Sequence, residues 1–84
     1  MLFKIEVRVS KKSNVPDAEA AKIWSDAQHS GILCLVHVRV GKTFELEVDA
    51  EDAQDAEVVA TLMCMNLLAN HNIEDHTIVS VRPG

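Results

Sequence analysis

The chain has 84 residues, 48% of them hydrophobic, and a formal net charge of −5 at pH 7. A chain this short folds as a single domain, residues 1–84, without room for a large enclosed active site. Its eight Lys and Arg residues are spread along an acidic sequence, which argues against a nucleic-acid partner. The longest apolar run, "ILCLV", is far shorter than the roughly 18 residues of a membrane span. We therefore expect a soluble protein that contacts neither nucleic acid nor membrane. Cys34 and Cys64 lie in apolar segments without CxxC spacing, so we expect buried, reduced thiols in a cytoplasmic protein.

A strand and an amphipathic helix are predicted first. In "FKIEVRV", residues 3 to 9, apolar and charged side chains alternate strictly, which is typical of a strand with one buried face. The helix begins at Pro16-Asp17, where Asp17 can cap the free amides. It ends at Ser30-Gly31, where Gly31 can adopt the left-handed conformation.

The stretch "HVRVGKTFELEV", residues 37 to 48, has the pattern of a β-hairpin. Its period of two predicts a second strand over about 33 to 40 and a third over about 43 to 49. Gly41-Lys42 between them suits a two-residue type II′ turn, whose first residue needs a positive φ.

A second helix and a fourth strand complete the prediction. Acidic residues in "DAEDAQDAE" stabilise the start of a helix that runs to about Asn70. "HTIVSV" follows as a strand, with Thr77, Val79 and Val81 on its inner face. The order βαββαβ predicts an α+β, ferredoxin-like sandwich, in which an antiparallel sheet carries two helices on one face.

The second helix has two apolar stripes on nearly opposite sides, and only one of them can cover the sheet. The other consists of Val58, Leu62, Met65 and Ala69. Exposed apolar strips usually mark interfaces, so we predict that this stripe forms an oligomer interface. The alternative is that the first helix covers it as ordinary core. The free sheet edges also favour pairing with a second copy, which predicts a homodimer.

No catalytic or metal-binding constellation is present in the sequence. The four histidines and two cysteines lack ligand spacing, which predicts no metal site. Glu74 and Asp75 are adjacent on a strand and point to opposite faces, so they cannot act as a catalytic pair. We therefore predict no catalytic residues.

Two motifs resemble the PurS family, the small subunit of phosphoribosylformylglycinamidine (FGAM) synthase. They are "VRVGKTFEL", residues 38 to 46, and "LLANHNIEDH", residues 67 to 76, together with the acidic start of the second helix. The resemblance spans essentially the whole chain in order and length. The chain departs from the family before the first helix, where it reads "VPDAEA" in place of an L-D-P-Q-G-x-A segment.

The resemblance implies an accessory subunit of a glutamine-dependent carbon–nitrogen ligase in purine biosynthesis, with no catalytic residues of its own. It implies a homodimer that bridges a PurL-type synthetase and a PurQ-type glutaminase and assists ammonia transfer during conversion of FGAR to FGAM. The complex would use ATP, Mg and glutamine, and this subunit would bind no cofactor. The implied partner-binding residues are Arg39, Gly41, Lys42, Glu45, Asn70, Ile73, Glu74 and Asp75.

The same βαββαβ order also occurs in other classes of protein, because fold does not imply function. The main alternative is an ACT-like regulatory module that senses a small molecule between two copies. Such modules carry a Gly-containing loop after the first strand, and "SKKSNVPDA" has no Gly.

Overall fold

The computed structural model describes all 84 residues as three strands, two α-helices and a π-helical segment. In chain order these are β1 (Leu2–Lys11), α1 (Ala18–His29), β2 (Gly41–Asp49), α2 (Ala53–Met63), the π-helix Cys64–Leu68 and β3 (Glu74–Pro83). None of the helices has the length and apolar character that crossing a membrane requires.

The sheet is antiparallel with the strand order β2-β1-β3, so the first strand of the chain is the central one. Alternate side chains of β1 point to one face, and α2 packs against that face with small side chains that allow close approach. The fully enclosed core is Phe3, Ile5, Val7, Val9, Ala56, Ala60 and Cys64. The predicted α+β class, antiparallel sheet and two helices are confirmed.

The predicted hairpin is wrong. Gly41 and Lys42 are not a turn but the first residues of β2, where they pair with Ser10 and Val9 of β1. Gly41 also lacks the positive φ that a type II′ turn needs. The predicted second strand, residues 33 to 40, has no partner within the chain and no regular secondary structure from Leu35 onward. The predicted βαββαβ order therefore holds except that residues 33 to 40 do not form a strand. The outer edge of β2, where that strand would have paired, is left open.

Helix α1 has the ends that the sequence predicts. The Asp17 side chain accepts a hydrogen bond from the Ala20 amide at 3.1 Å, which caps the helix start. After the helix, Gly31 has a φ of +83°, a conformation that side chains disfavour.

The prediction of two helices on one face holds for α2 but not for α1. Helix α2 packs on all three strands, whereas α1 has no comparable contact with any of them. With the returning segment, α1 forms an arm, residues 18–40, that projects from the sheet and lengthens the molecule to 51 Å. Exposed apolar side chains on the arm are Ile23, Trp24, Ile32, Leu33 and Val36.

The second stripe of α2 is exposed, as the interface prediction requires. Val58, Leu62 and Met65 are 53%, 54% and 59% exposed, so α1 does not cover them. The prediction is wrong for Ala69, which is half-buried against the core and does not belong to the exposed stripe. The wider π-helical turn at Cys64–Leu68 changes the angular register of the residues that follow it.

The predicted inner face of the last strand is also corrected. Ile78 and Val81 pack against the core, whereas Val79 is 43% exposed and Thr77 points outward. The pairing register of β3 with β1 shifts by one residue at Glu6/Val7. This β-bulge interrupts the alternation of period two on which the prediction depended.

Candidate functional site

The two segments singled out by the PurS motifs converge at one end of the sheet. Gly41 and Asp75 pair with Ser10 from its two sides, and Lys42 pairs with the next residue, Val9, from the β2 side. Because neighbouring strands lie about 4.8 Å apart, the two segments approach to about 10 Å across β1. Residues that are more than 30 positions apart in sequence thus share one surface.

Gly41 is required by a close approach of two strands. A Cβ placed on Gly41 would lie 2.9 Å from the carbonyl oxygen of Val9 and 3.4 Å from the Cβ of Ser10. Such contacts would push β2 away from β1 at the end where the candidate site lies. The role of Gly41 is therefore to let the backbone of β2 begin close to Ser10.

Lys42 is exposed beside a concavity that carries charges of both signs. Lys11 also lines it, and its acidic residues are Asp17 and Glu19 at the start of α1 and Glu74 at the start of β3. An ammonium on a flexible stem suits contact with an acidic group of a partner.

The predicted residues at the exit from the helix form a hydrogen-bonded turn. The Asn70 amide donates to the Glu74 carboxylate at 2.9 Å, and the Asn70 side-chain oxygen accepts from the Asn72 amide at 3.1 Å. The Ile73 carbonyl accepts from the Lys12 amide at 2.9 Å, which ties this turn to the end of β1. Asn70 and Glu74 therefore shape the turn, while Ile73 and Asp75 present exposed side chains.

Arg39 lies at the same end of the sheet, where the arm returns to β2. Its Nη2 donates to the Lys11 carbonyl at 3.1 Å and to the Ser10 hydroxyl at 3.4 Å. These bonds fix the guanidinium over the end of β1.

Glu45 is separate from this group, on the outer face of the sheet and directly opposite Glu6. Two like charges in directly opposite positions destabilise a sheet. The pair has a cationic residue two positions away on each side along β1, Lys4 and Arg8. These two cations reduce the repulsion within the sheet, and the structure does not join Glu45 to the group at the end of β1.

Sequence reasoning missed two features of this end of the molecule. Lys11 and Lys12 line a concavity with Arg39, a role that the Lys-Lys doublet after an alternating strand could have indicated. His71 and His76 are in contact, with Nε2 of the first 3.1 Å from Nδ1 of the second. Their rings are edge-on, with centroids 5.3 Å apart. Nothing in the spacing of the two histidines predicts this contact.

The exposed stripe of α2 forms a second surface, on the side of the helix that faces away from the sheet. Between Val58 and Leu62 it contains a shallow concavity, lined also by Gln54, Glu57 and Thr61. The protein thus has a polar surface at one end of the sheet and an apolar surface on α2.

Comparison with known proteins gives the family of this chain. The family model described as "PurS: Phosphoribosylformylglycinamidine (FGAM) synthase" matches residues 4–82. The chain belongs to the PurS family. The match includes both convergent segments at the end of the sheet, so the resemblance carried by the two motifs is confirmed across the whole domain.

Relatives in this family are similar over nearly their full length. The PurS subunit of phosphoribosylformylglycinamidine synthase from Bacillus subtilis is 38% identical over 76 residues, which cover 89% of this chain and 88% of the relative. The subunit of the same name from Thermotoga maritima is 31% identical over 77 residues, covering 92% and 94%.

A solved structure described as PurLQS from Thermotoga maritima contains a chain with the same fold. It superposes with a TM-score of 0.84 at 32% identity and covers 98% of this chain and 96% of that chain. The PurS fold seen here is therefore the fold found in that assembly.

Proposed function

We propose that this protein is the non-catalytic PurS subunit that bridges the PurL-type synthetase and the PurQ-type glutaminase of FGAM synthase. In this role it helps ammonia released from glutamine to reach the synthetase that converts FGAR to FGAM. The observation that carries the proposal is the likeness, over nearly the whole chain, to a chain of the Thermotoga maritima PurLQS structure.

The two surfaces of the molecule give this role a physical basis. An adaptor needs separate surfaces for separate partners, and the polar end of the sheet and the apolar stripe of α2 lie on different parts of the domain. We assign the polar end, with Arg39, Lys42, Ile73 and Asp75, to contacts with the other subunits. We assign the exposed stripe, Val58, Leu62 and Met65, to a homodimer.

The proposal extends to cofactors and location. ATP, Mg and glutamine would be used by the complex, with none of them bound by this subunit alone. The complex would act in the cytoplasm, where purine biosynthesis supplies its substrates.

The test is reconstitution with the synthetase and glutaminase from the same organism. We expect the three proteins to sediment as one complex in the presence of glutamine and Mg-ADP, and FGAM formation from glutamine to require this chain. FGAM formation from ammonium chloride should not require it, because free ammonia needs no transfer between subunits. A glutamine-dependent rate that is the same with and without this chain would overturn the proposal.

Lys42 provides the sharpest variant for this test. Lys42→Glu reverses the charge of an exposed side chain, so the fold should persist. The affinity for the other subunits should fall about tenfold or more, because the new carboxylate would face the acidic group of the partner that Lys42 is expected to contact. Lys22→Glu is the matched control, because Lys22 lies on α1 and its ammonium is 3.0 Å from Asp26. Equal sedimentation of the two variants would remove Lys42 from the site.

A further inference from the structure

Four of the eight Lys and Arg residues of this acidic chain gather around two neighbouring concavities at the end of β1. The first has a volume of about 140 Å³ and lies between the loop after β1 and the end of the arm. Its polar and charged lining residues are Lys11, Lys12, Ser13, Asp17, His37 and Arg39. The second is lined by Arg8, Ser10, Arg39, Val40, Gly41 and Thr43. Such a concentration of cations needs an explanation in a protein with a net charge of −5.

Arg39 belongs to both concavities and is held in place. Its two hydrogen bonds to Ser10 and Lys11 use only Nη2, so the other N–H groups of the guanidinium remain available to an incoming acceptor. A guanidinium fixed in this way binds an oxyanion with little further loss of conformational entropy. The oxygens of a tetrahedral anion match its planar fork of donors.

The acidic group in the first concavity is already engaged. The Asp17 carboxylate accepts the Ala20 amide hydrogen at 3.1 Å and lies 4.0 Å from the Lys11 ammonium. Its repulsion of a bound anion is therefore reduced, and Lys12 and Arg39 remain as cations without an ion pair. The Ser13 side chain adds a hydroxyl donor at the same surface.

We propose that these concavities, centred on Arg39, form a binding site for a phosphate group. The volume is several times the roughly 30 Å³ that one water molecule occupies in the liquid, so a phosphate group fits. Phosphate is favoured over a carboxylate because it carries about 1.5 to 2 negative charges near pH 7 and offers oxygens to several cations at once. The site shares Arg39 with the surface that we assign to the other subunits, but all of its lining residues belong to this chain, so it can be tested on the chain alone.

The test is an NMR titration of the full-length chain with inorganic phosphate, at an ionic strength held constant with NaCl. We expect saturable chemical-shift changes in the amides of Lys11, Lys12, Ser13 and His37 to Val40. Arg39→Gln should weaken phosphate binding about tenfold, since it removes a charge-assisted pair of hydrogen bonds. Lys12→Gln should weaken it less, and Lys22→Gln, on α1 and outside both concavities, should leave it unchanged.

A titration with ribose 5-phosphate distinguishes the two sources of a phosphate group, a phosphate ester and free phosphate. Tighter binding of ribose 5-phosphate than of inorganic phosphate would assign the site to a phosphate ester, and the reverse order would assign it to free phosphate. Shifts that fail to saturate, or an Arg39→Gln variant that titrates like the unmodified chain while retaining its dispersed spectrum, would overturn the proposal. Equal shifts at matched ionic strength in NaCl alone would also overturn it. None of these outcomes depends on the assembly of the synthase.

Discussion

The two cysteines differ completely in their surroundings. Cys64 is fully buried where α2 continues into the π-helix, and desolvation by burial raises the pKa of its thiol. Cys34 is exposed on the arm, so the predicted burial of both thiols is wrong for Cys34 and holds for Cys64. Because only the thiolate reacts with alkylating reagents, a raised pKa lowers the reactive fraction of Cys64 at neutral pH, in addition to the shielding by the core.

We therefore expect iodoacetamide at pH 7 to modify Cys34 and to spare Cys64 in the folded protein. Peptide mass spectrometry after timed quenching measures the two rates, and both cysteines should react once the chain is unfolded in guanidinium chloride. In a Cys34→Ser variant, modification of the folded protein should be nearly absent. Similar rates for the two thiols under native conditions would show that the helix containing Cys64 opens readily.

Single residues also show what the sequence can reveal and what it cannot. The buried face of β1 is predictable because strict alternation along a strand allows only one inward set of side chains. Val79 is not predictable in the same way, because the bulge opposite Glu6/Val7 is a property of two paired strands. The sequence predicts that position 41 needs a glycine. The reason, that a Cβ there would collide with the carbonyl oxygen of Val9, is visible only in the folded sheet.

At the scale of elements, the main difference lies in residues 33 to 40. Their composition is that of a strand, and local pattern alone gives no reason to reject it. A hairpin with β2 would need a turn at Gly41-Lys42, and these two residues are instead paired with Ser10 and Val9 of β1 as the start of β2. The segment therefore stays on the arm, and the strand predicted to begin at Thr43 begins two residues earlier, at Gly41.

Helix α2 provides a prediction about association at this scale. Leu62→Glu combined with Met65→Glu places two carboxylates on the exposed stripe, away from the core residues of the helix. The free energy of unfolding of the single chain should change by only about 0.5 kcal/mol, as is usual for surface substitutions. The homodimer should dissociate, because unpaired charges buried in an interface cost several times more than that.

Light scattering at a series of protein concentrations measures the mass, and urea unfolding of the dissociated chain measures its stability. The control is Glu57→Gln with Gln54→Glu, which keeps the charge of the stripe's polar border unchanged. A dimer that persists in the Leu62→Glu, Met65→Glu variant would assign dimerisation to another surface, such as the open edge of β2.

The whole molecule is more extended than its length requires. The radius of gyration is 16.3 Å, whereas a compact domain of this length has about 12 Å. The excess reflects the projecting arm, whose apolar side chains contact little of the sheet. Apolar surface left open in one chain is stabilised by contact with another, which agrees with a subunit that works in an assembly.

Trp24, the single tryptophan, reports on the arm directly and is 44% exposed in the single chain. We expect acrylamide to quench its fluorescence readily at low protein concentration. We expect the homodimer to cover the arm in addition to the stripe of α2, so quenching should fall and the emission should shift to shorter wavelength as the homodimer forms. A quenching constant that stays the same while sedimentation shows dimer formation would place the arm outside the dimer interface.

The central position of β1 has a further consequence for the chain as it is made. β1 is synthesised first, while its second neighbour, β3, begins only at Glu74. At ribosomal rates of roughly 5–20 residues per second, the middle strand waits about 3–13 s before both of its edges can be paired. During that interval a strand with four apolar side chains on one face has an open edge, which neighbouring nascent chains can also pair with. The order of synthesis thus leaves the central strand incompletely paired for longer than any other part of the sheet.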